Sequence, residues 1–250
     1  DNDNDPCAAF GVDNEPMTSQ VFRTSLFVAN GLVFGLAVML GYLAGSPARH
    51  FGESGFTTWV SGAQLLAISV VTWKIWRLRG GRFVRDAWRG PYFVWLLIAA
   101  GFVFLTIDEL VQIHEQLDRW IHALLGITET AVTDRLDDVL ILGYGLVGLG
   151  VLYHYRRELR LFRRDVVLII VGFVLLSAMI AVDMLFGHPD IIALFAPAHA
   201  VRSLSGWASA VEEGFKLFAE AAFLAAFYGT YRRASAASRR GAAVAISSPP

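Results

Sequence analysis

The chain has 250 residues, 55% of them hydrophobic and only 17% charged, with a net charge of -1 at pH 7 and a mean hydropathy of +0.51. A soluble domain carries about 25% charge, so this balance excludes an ordinary water-soluble fold, and the near-zero net charge excludes the basic face that nucleic acid requires. The single cysteine, Cys7, excludes an internal disulfide and every Cys-x-x-Cys zinc or redox motif.

Residues 1–22 are acidic and polar and lack the basic start, short apolar run and small-residue cleavage site of a removable signal. Roughly 20 apolar residues cross the hydrocarbon of a bilayer as a helix, and six stretches qualify. The first covers 23–45 and ends at Gly45-Ser46-Pro47; the second covers 56–77. The third, 91–114, opens on Pro91, which suits a first helical turn. The fourth, fifth and sixth cover 136–156, 165–186 and 207–230. Trp59, Trp73, Trp76, Trp88, Trp95 and Trp207 fall near predicted ends, as an interfacial aromatic belt requires.

Between the third and fourth spans, Leu117, Trp120, Ile121, Leu124 and Leu125 keep helical spacing, so residues 115–134 are expected to extend the third helix onto the interface. Residues 187–206 contain Pro189, Pro197 and Gly206 and read as a re-entrant segment or a membrane-hugging loop. Gly143, Gly145, Gly148 and Gly150 read as a close-packing face of the fourth span. The stretch 232–250, rich in Ala, Ser and Arg, reads as a disordered basic tail. The fold class is therefore all-α: a polar segment (1–22), a six-helix membrane bundle (23–231) and a tail (232–250).

Orientation follows from arginine. Arg77, Arg79, Arg82, Arg85 and Arg89 lie between spans two and three; Arg156, Arg157, Arg160, Arg163 and Arg164 lie between four and five; Arg232, Arg233, Arg239 and Arg240 lie in the tail. The other loops are poor in Lys and Arg. The positive-inside rule then puts both termini in the cytoplasm of a multi-pass protein of the cell membrane, on the bacterial inner-membrane pattern.

In this topology, acidic groups from several helices share one depth in the outer half. Asp108 and Glu109 end the third span, Asp183 ends the fifth, and Glu212 and Glu213 open the sixth, with Lys216 and Glu220 deeper. Asp137 and Asp138 open the fourth, where the helix dipole favours anions. On one continuous helix, Asp108, Gln112 and Glu115 share a face, and Glu109 lies about 100° away. Lys216 needs an anion, with Asp183, Asp108, Glu213 and Glu220 as candidates. Ionisable groups at this depth face a protein interior or a polar cavity rather than lipid.

The carboxylate surplus over one lysine suggests a divalent metal of unspecified identity, held by Asp108, Glu109, His114, Glu115, Asp183, Glu212 and Glu213, with Lys216 and Glu220 as charge partners or a proton relay. His114, Asp118 and His122, at i, i+4 and i+8, form a secondary metal candidate or a plain interfacial pair of caps. Zincin, ferritin-like Glu-x-x-His and Gly-x-Ser-x-Gly motifs are absent, and Ser61, Ser69 and Ser177 read as packing residues. The likeness of 106–113 to 210–217 does not make an inverted repeat, because inversion would send the two acidic pairs to opposite sides.

Three functions fit: a metal-dependent membrane enzyme acting on a lipid or apolar substrate, a structural subunit of a larger membrane complex, or a proton- or cation-coupled transporter. The partners expected are the lipid bilayer and other membrane subunits or further copies of this chain, with no nucleic acid.

Overall fold

The computed structural model describes residues 17–52, 55–80, 90–126, 136–187 and 189–247, and among these there are helices and turns but no strand. The helices are α1 (Met17–Leu43), α2 (Phe56–Leu78), α3 (Phe93–Val111), α4 (Ile113–Leu125), α5 (Leu136–His154), α6 (Arg156–Arg160), α7 (Arg163–Phe186), α8 (Pro189–Ile192) and α9 (Ala198–Ser247), with one 3-10 turn at Pro47–His50. Arg82, Arg85, Arg89 and Trp88, and the connection 127–135, lie outside the described residues.

Four helices are long and apolar enough to cross a membrane: Ser19–Leu43, Phe56–Leu78, Phe93–Val111 and Arg163–Phe186. The expected fourth span contains a shorter apolar helix, Val139–His154. The expected sixth lies inside α9, where Glu212, Glu213, Lys216 and Glu220 dilute the apolar stretch. The bundle also shows much apolar surface. Leu32, Leu43, Leu146, Val147, Val167 and Val174 are all exposed, and contiguous apolar patches on this scale are foreign to a soluble monomer. All-helical architecture with such spans is compatible with an integral membrane protein.

Helix α9 is the axis. It packs along α7 and α2, with α1 on a third side, while α3 lies against α2 and α5 sits at the periphery. Between Ala219 and Phe227 nearly every α9 side chain is buried, and five are alanine: Ala219, Ala221, Ala222, Ala225 and Ala226. Small residues let helix backbones approach closely where water exclusion is not the driving force. Gly172 does the same on α7: a Cβ there would come within 2.6 Å of the Phe223 ring. Edge-to-face aromatic pairs fill the centre, with Phe173–Phe223 centroids 5.2 Å apart and Trp95–Phe162 centroids 5.6 Å apart.

Several expectations change. The third span does not run on into α4. Gln112 takes a left-handed conformation (φ 59°, ψ 52°) and ends α3, so the assumed continuous helical phase breaks between Asp108 and Glu115. Residues 198–206 are the first turns of α9 rather than loop, started after Pro197 and passing Gly206, where an added Cβ would touch Pro47 at 3.4 Å. The expected disordered tail is helical to Ser247, because alanine and arginine favour the helix. Trp76 and Trp95 belong to the core, each 1% exposed, while Trp59, Trp73 and Trp207 are exposed as a belt requires. Of the four glycines of α5, Gly145 and Gly148 face Leu176 and Phe173 of α7, while a Cβ at Gly143 or Gly150 would meet nothing within 4 Å.

Candidate functional site: an acid-mouthed cavity

A cavity of about 720 Å³ opens between α2, α3, α5, α7 and α9. On α9 its wall runs from Ser209 to Phe227, roughly 27 Å at 1.5 Å per residue. The two ends differ in chemistry. Asp108, Glu109, Glu115, Asp183, Glu212 and Glu213 line the end formed by the C-termini of α3 and α7 and the early turns of α9. Phe102, Phe173, Leu176, Phe223 and Phe227 line the other. Gly145 and Gly148 of α5 form part of the side wall, and side chains built there would just reach Leu176 and Phe173.

Lys216 organises the acidic end. Its ammonium donates to Glu109 Oε1 at 2.9 Å and to Glu213 Oε1 at 2.7 Å, joining α3 to α9. Glu109 was absent from the candidate partners of Lys216. Its position about 100° round from Asp108 is what turns it toward α9 while Asp108 faces elsewhere. One turn below Lys216, Glu220 Oε1 accepts a hydrogen bond from Ser61 Oγ at 2.5 Å. Ser61 is thus more than a packing residue: it is the α2 contribution to the site. The second oxygens of Glu213 and Glu220, both Oε2, are buried without a hydrogen-bond partner. A buried acceptor left open is costly unless the group carries a proton or meets a donor.

Asp108 looks toward α4. Its Oδ1 accepts the backbone N–H of His114 at 2.9 Å, and its Oδ2 lies 3.0 Å from His114 Nδ1. The side chain therefore holds the start of α4 across the kink at Gln112 and fixes the imidazole. An imidazole steadied by a carboxylate can shuttle a proton at the mouth of the cavity. Glu115 also lines the mouth and lies 3.9 Å from Arg119. Asp118 and His122 form their own buried pair, 3.1 Å apart, with the ring Nδ1 also 3.0 Å from the Asp118 carbonyl. His114 does not join them, so the expected line of three is divided between two places. The side chains of Asp137 and Asp138 lie outside the described residues.

The expected metal set is not assembled. Among the described residues no group of three or more His, Cys, Asp or Glu is arranged to hold a metal ion. The physical reason is local: the Lys216 ammonium takes the place between Glu109 and Glu213 that the sequence assigned to a cation, and Asp108 is spent on α4. The convergence itself is present, since Asp108, Glu109, Asp183, Glu212 and Glu213 all reach one cavity.

Three further polar clusters escaped the sequence reading. At the other end of the bundle, Asp165 accepts from Arg23 at 3.0 Å and from Thr230 Oγ1 at 2.9 Å, and is paired with Arg233 as well. Beside it, Glu158 takes a bidentate grip from Arg79 (2.8 and 3.1 Å) and the indole N–H of Trp95 at 3.1 Å. Midway, Asn30 and Gln64 exchange amide hydrogen bonds at 2.9 and 3.3 Å between α1 and α2. Asn30 and Gln64 could have been noticed as amides inside apolar stretches; Asp165 and Glu158 were hidden among arginines.

Fold and cavity define a helical bundle of membrane type with a long, end-polarised cavity. Residues 21–229 match the model of a family described as a domain of unknown function, DUF8692, and the chain belongs to that family. No curated protein and no solved structure is significantly similar to it.

Proposed function

We propose that this is a six-span integral membrane protein, termini cytoplasmic, that takes a lipid or other apolar molecule into its cavity and holds the polar end at the carboxylate cluster in the outer half. One observation carries the reading: a cavity acidic at one mouth and apolar over the rest. Its size is within the range of small-molecule sites, about 300–1,000 Å³. The alternating arginines support the orientation, and the buried middle of α9 supports its role as the sixth span.

The test is photolabelling of the purified protein in neutral detergent with a long-chain alcohol bearing a diazirine on its chain. Label is expected on α7 and α9 peptides containing Phe173 and Phe223, and Gly148→Phe, which fills the cavity wall, should reduce it several-fold. Label confined to the outward faces of α1 and α5, unchanged in Gly148→Phe, would overturn the reading.

A second reading, proton- or cation-coupled carriage, is favoured by the ladder formed by Glu109, Lys216, Glu213 and Glu220. These groups descend about two helical turns into the bundle along α9, and open carboxylate oxygens at two levels could hand a proton inward.

A further inference from the structure

We infer that the molecule taken into this cavity carries a cationic, amine-type head, seated at Glu213 and Asp183, with its apolar chain running toward Phe102, Phe173 and Phe223. This rests on the proposed reading that the cavity binds an apolar-chain molecule, and adds the chemistry of its head.

The argument begins with charge balance. Among the described residues, the carboxylates on the cavity wall at the acidic end outnumber its bases, Lys216 and His114, even with Glu115 lying 3.9 Å from Arg119. Lys216 is engaged by Glu109 and Glu213, and His114 by Asp108. An anionic head, such as a phosphate or carboxylate, would enter among like charges and find both bases already paired. Like-charge juxtaposition in a poorly solvated site is strongly unfavourable.

Hydrogen-bond capacity points the same way. Glu213 is 9% exposed, and its Oε2 is buried with no partner although its Oε1 holds Lys216. Asp183 lines the same mouth. Two carboxylates facing one opening, one of them with an unfilled acceptor, call for a donor carrying positive charge. A primary amine supplies both: its charge relieves the repulsion, and its N–H groups fill the vacant oxygen. A quaternary ammonium relieves the charge but leaves the acceptor empty. Behind the mouth, the wall turns apolar, which sets the direction of the chain.

The experiment is competition against the diazirine alcohol in neutral detergent, using decylamine, decyltrimethylammonium, decanol and decanoate, which share one chain and differ in the head. One charge-assisted hydrogen bond gained should let decylamine compete at about tenfold lower concentration than decanol. Decyltrimethylammonium should fall between them, and decanoate should be weakest. Glu213→Gln and Asp183→Asn should each bring decylamine close to decanol. Asp183→Asn leaves the Lys216 bridge intact, so it serves if Glu213→Gln fails to fold.

Equal competition by decanol and decylamine in the wild-type protein would overturn the cationic head while leaving the cavity reading standing. An amine preference that survives both substitutions would overturn the assigned seat. Failure of every competitor to reduce specific labelling would overturn the cavity reading and this inference with it.

Discussion

At one end of the bundle, Asp165 and Glu158 have both carboxylate oxygens engaged, by Arg23, Arg233 and Thr230 and by Arg79 and Trp95. At the other end, Glu213 and Glu220 each keep one oxygen open although both are buried. The ends lie roughly 27 Å apart along α7, counted from Asp165 to Asp183. Cations match or exceed anions at the first and are outnumbered at the second. Closed networks hold helices in place, and a half-filled network is expensive to keep unless something completes it. On the proposed reading, the difference separates an end that holds the helices together from an end that takes a guest.

The broadest way to break this contrast is through sidedness, where the expected effect is all-or-none. In a Cys7→Ser background, an impermeant thiol reagent applied outside intact cells should label Leu125→Cys and not Ser238→Cys, both at exposed positions. Labelling of both from outside would put the acidic and basic ends on one side of the bilayer.

Next comes the closed network. Asp165→Ala leaves Arg23 and Arg233 without their shared anion and should cost about 3 kcal/mol, since stranding a partner of a buried ion pair is strongly destabilising. Thermal unfolding in detergent would show it as a large fall in midpoint. A midpoint within a degree or so of wild type would mean the cluster contributes little.

The smallest effect is expected at the open network. Glu220→Gln keeps an acceptor for Ser61 and removes a charge from a low-dielectric site, so stability should change by less than about 1 kcal/mol. Loss comparable to Asp165→Ala would erase the distinction between the two ends.

Depth along the helices was enough to bring the third and sixth spans together, because Asp108–Glu109 and Glu212–Glu213 mark the same level on antiparallel helices. Direction around the helix was legible only in part. Phase separated Asp108 from Glu109, yet the continuous-helix assumption missed the stop at Gln112, a non-glycine residue in a left-handed conformation that no local motif announces. The choice of Glu109 by Lys216, and of Ser61 by Glu220, depends on packing between helices far apart in sequence. Asp165 and Glu158 were invisible for another reason: in an arginine-rich segment, an acidic residue looks like part of a solvated loop. The helical tail follows from its alanine and arginine content, which the disorder expectation read only as low complexity.

Helix α9 spans 50 residues, Ala198–Ser247, about 75 Å at 1.5 Å per residue. It has no proline along that length, and Gly206, Gly214 and Gly229 pass within the helix. The same rod carries Glu213 near one end and Arg233 some 30 Å further on, beyond the crowded alanine section. A tilt of about 5° about that section would displace points 15 Å away by about 1 Å in opposite directions. On the proposed reading, a guest at Glu213 and the Arg233–Asp165 pair sit on opposite arms of one helix.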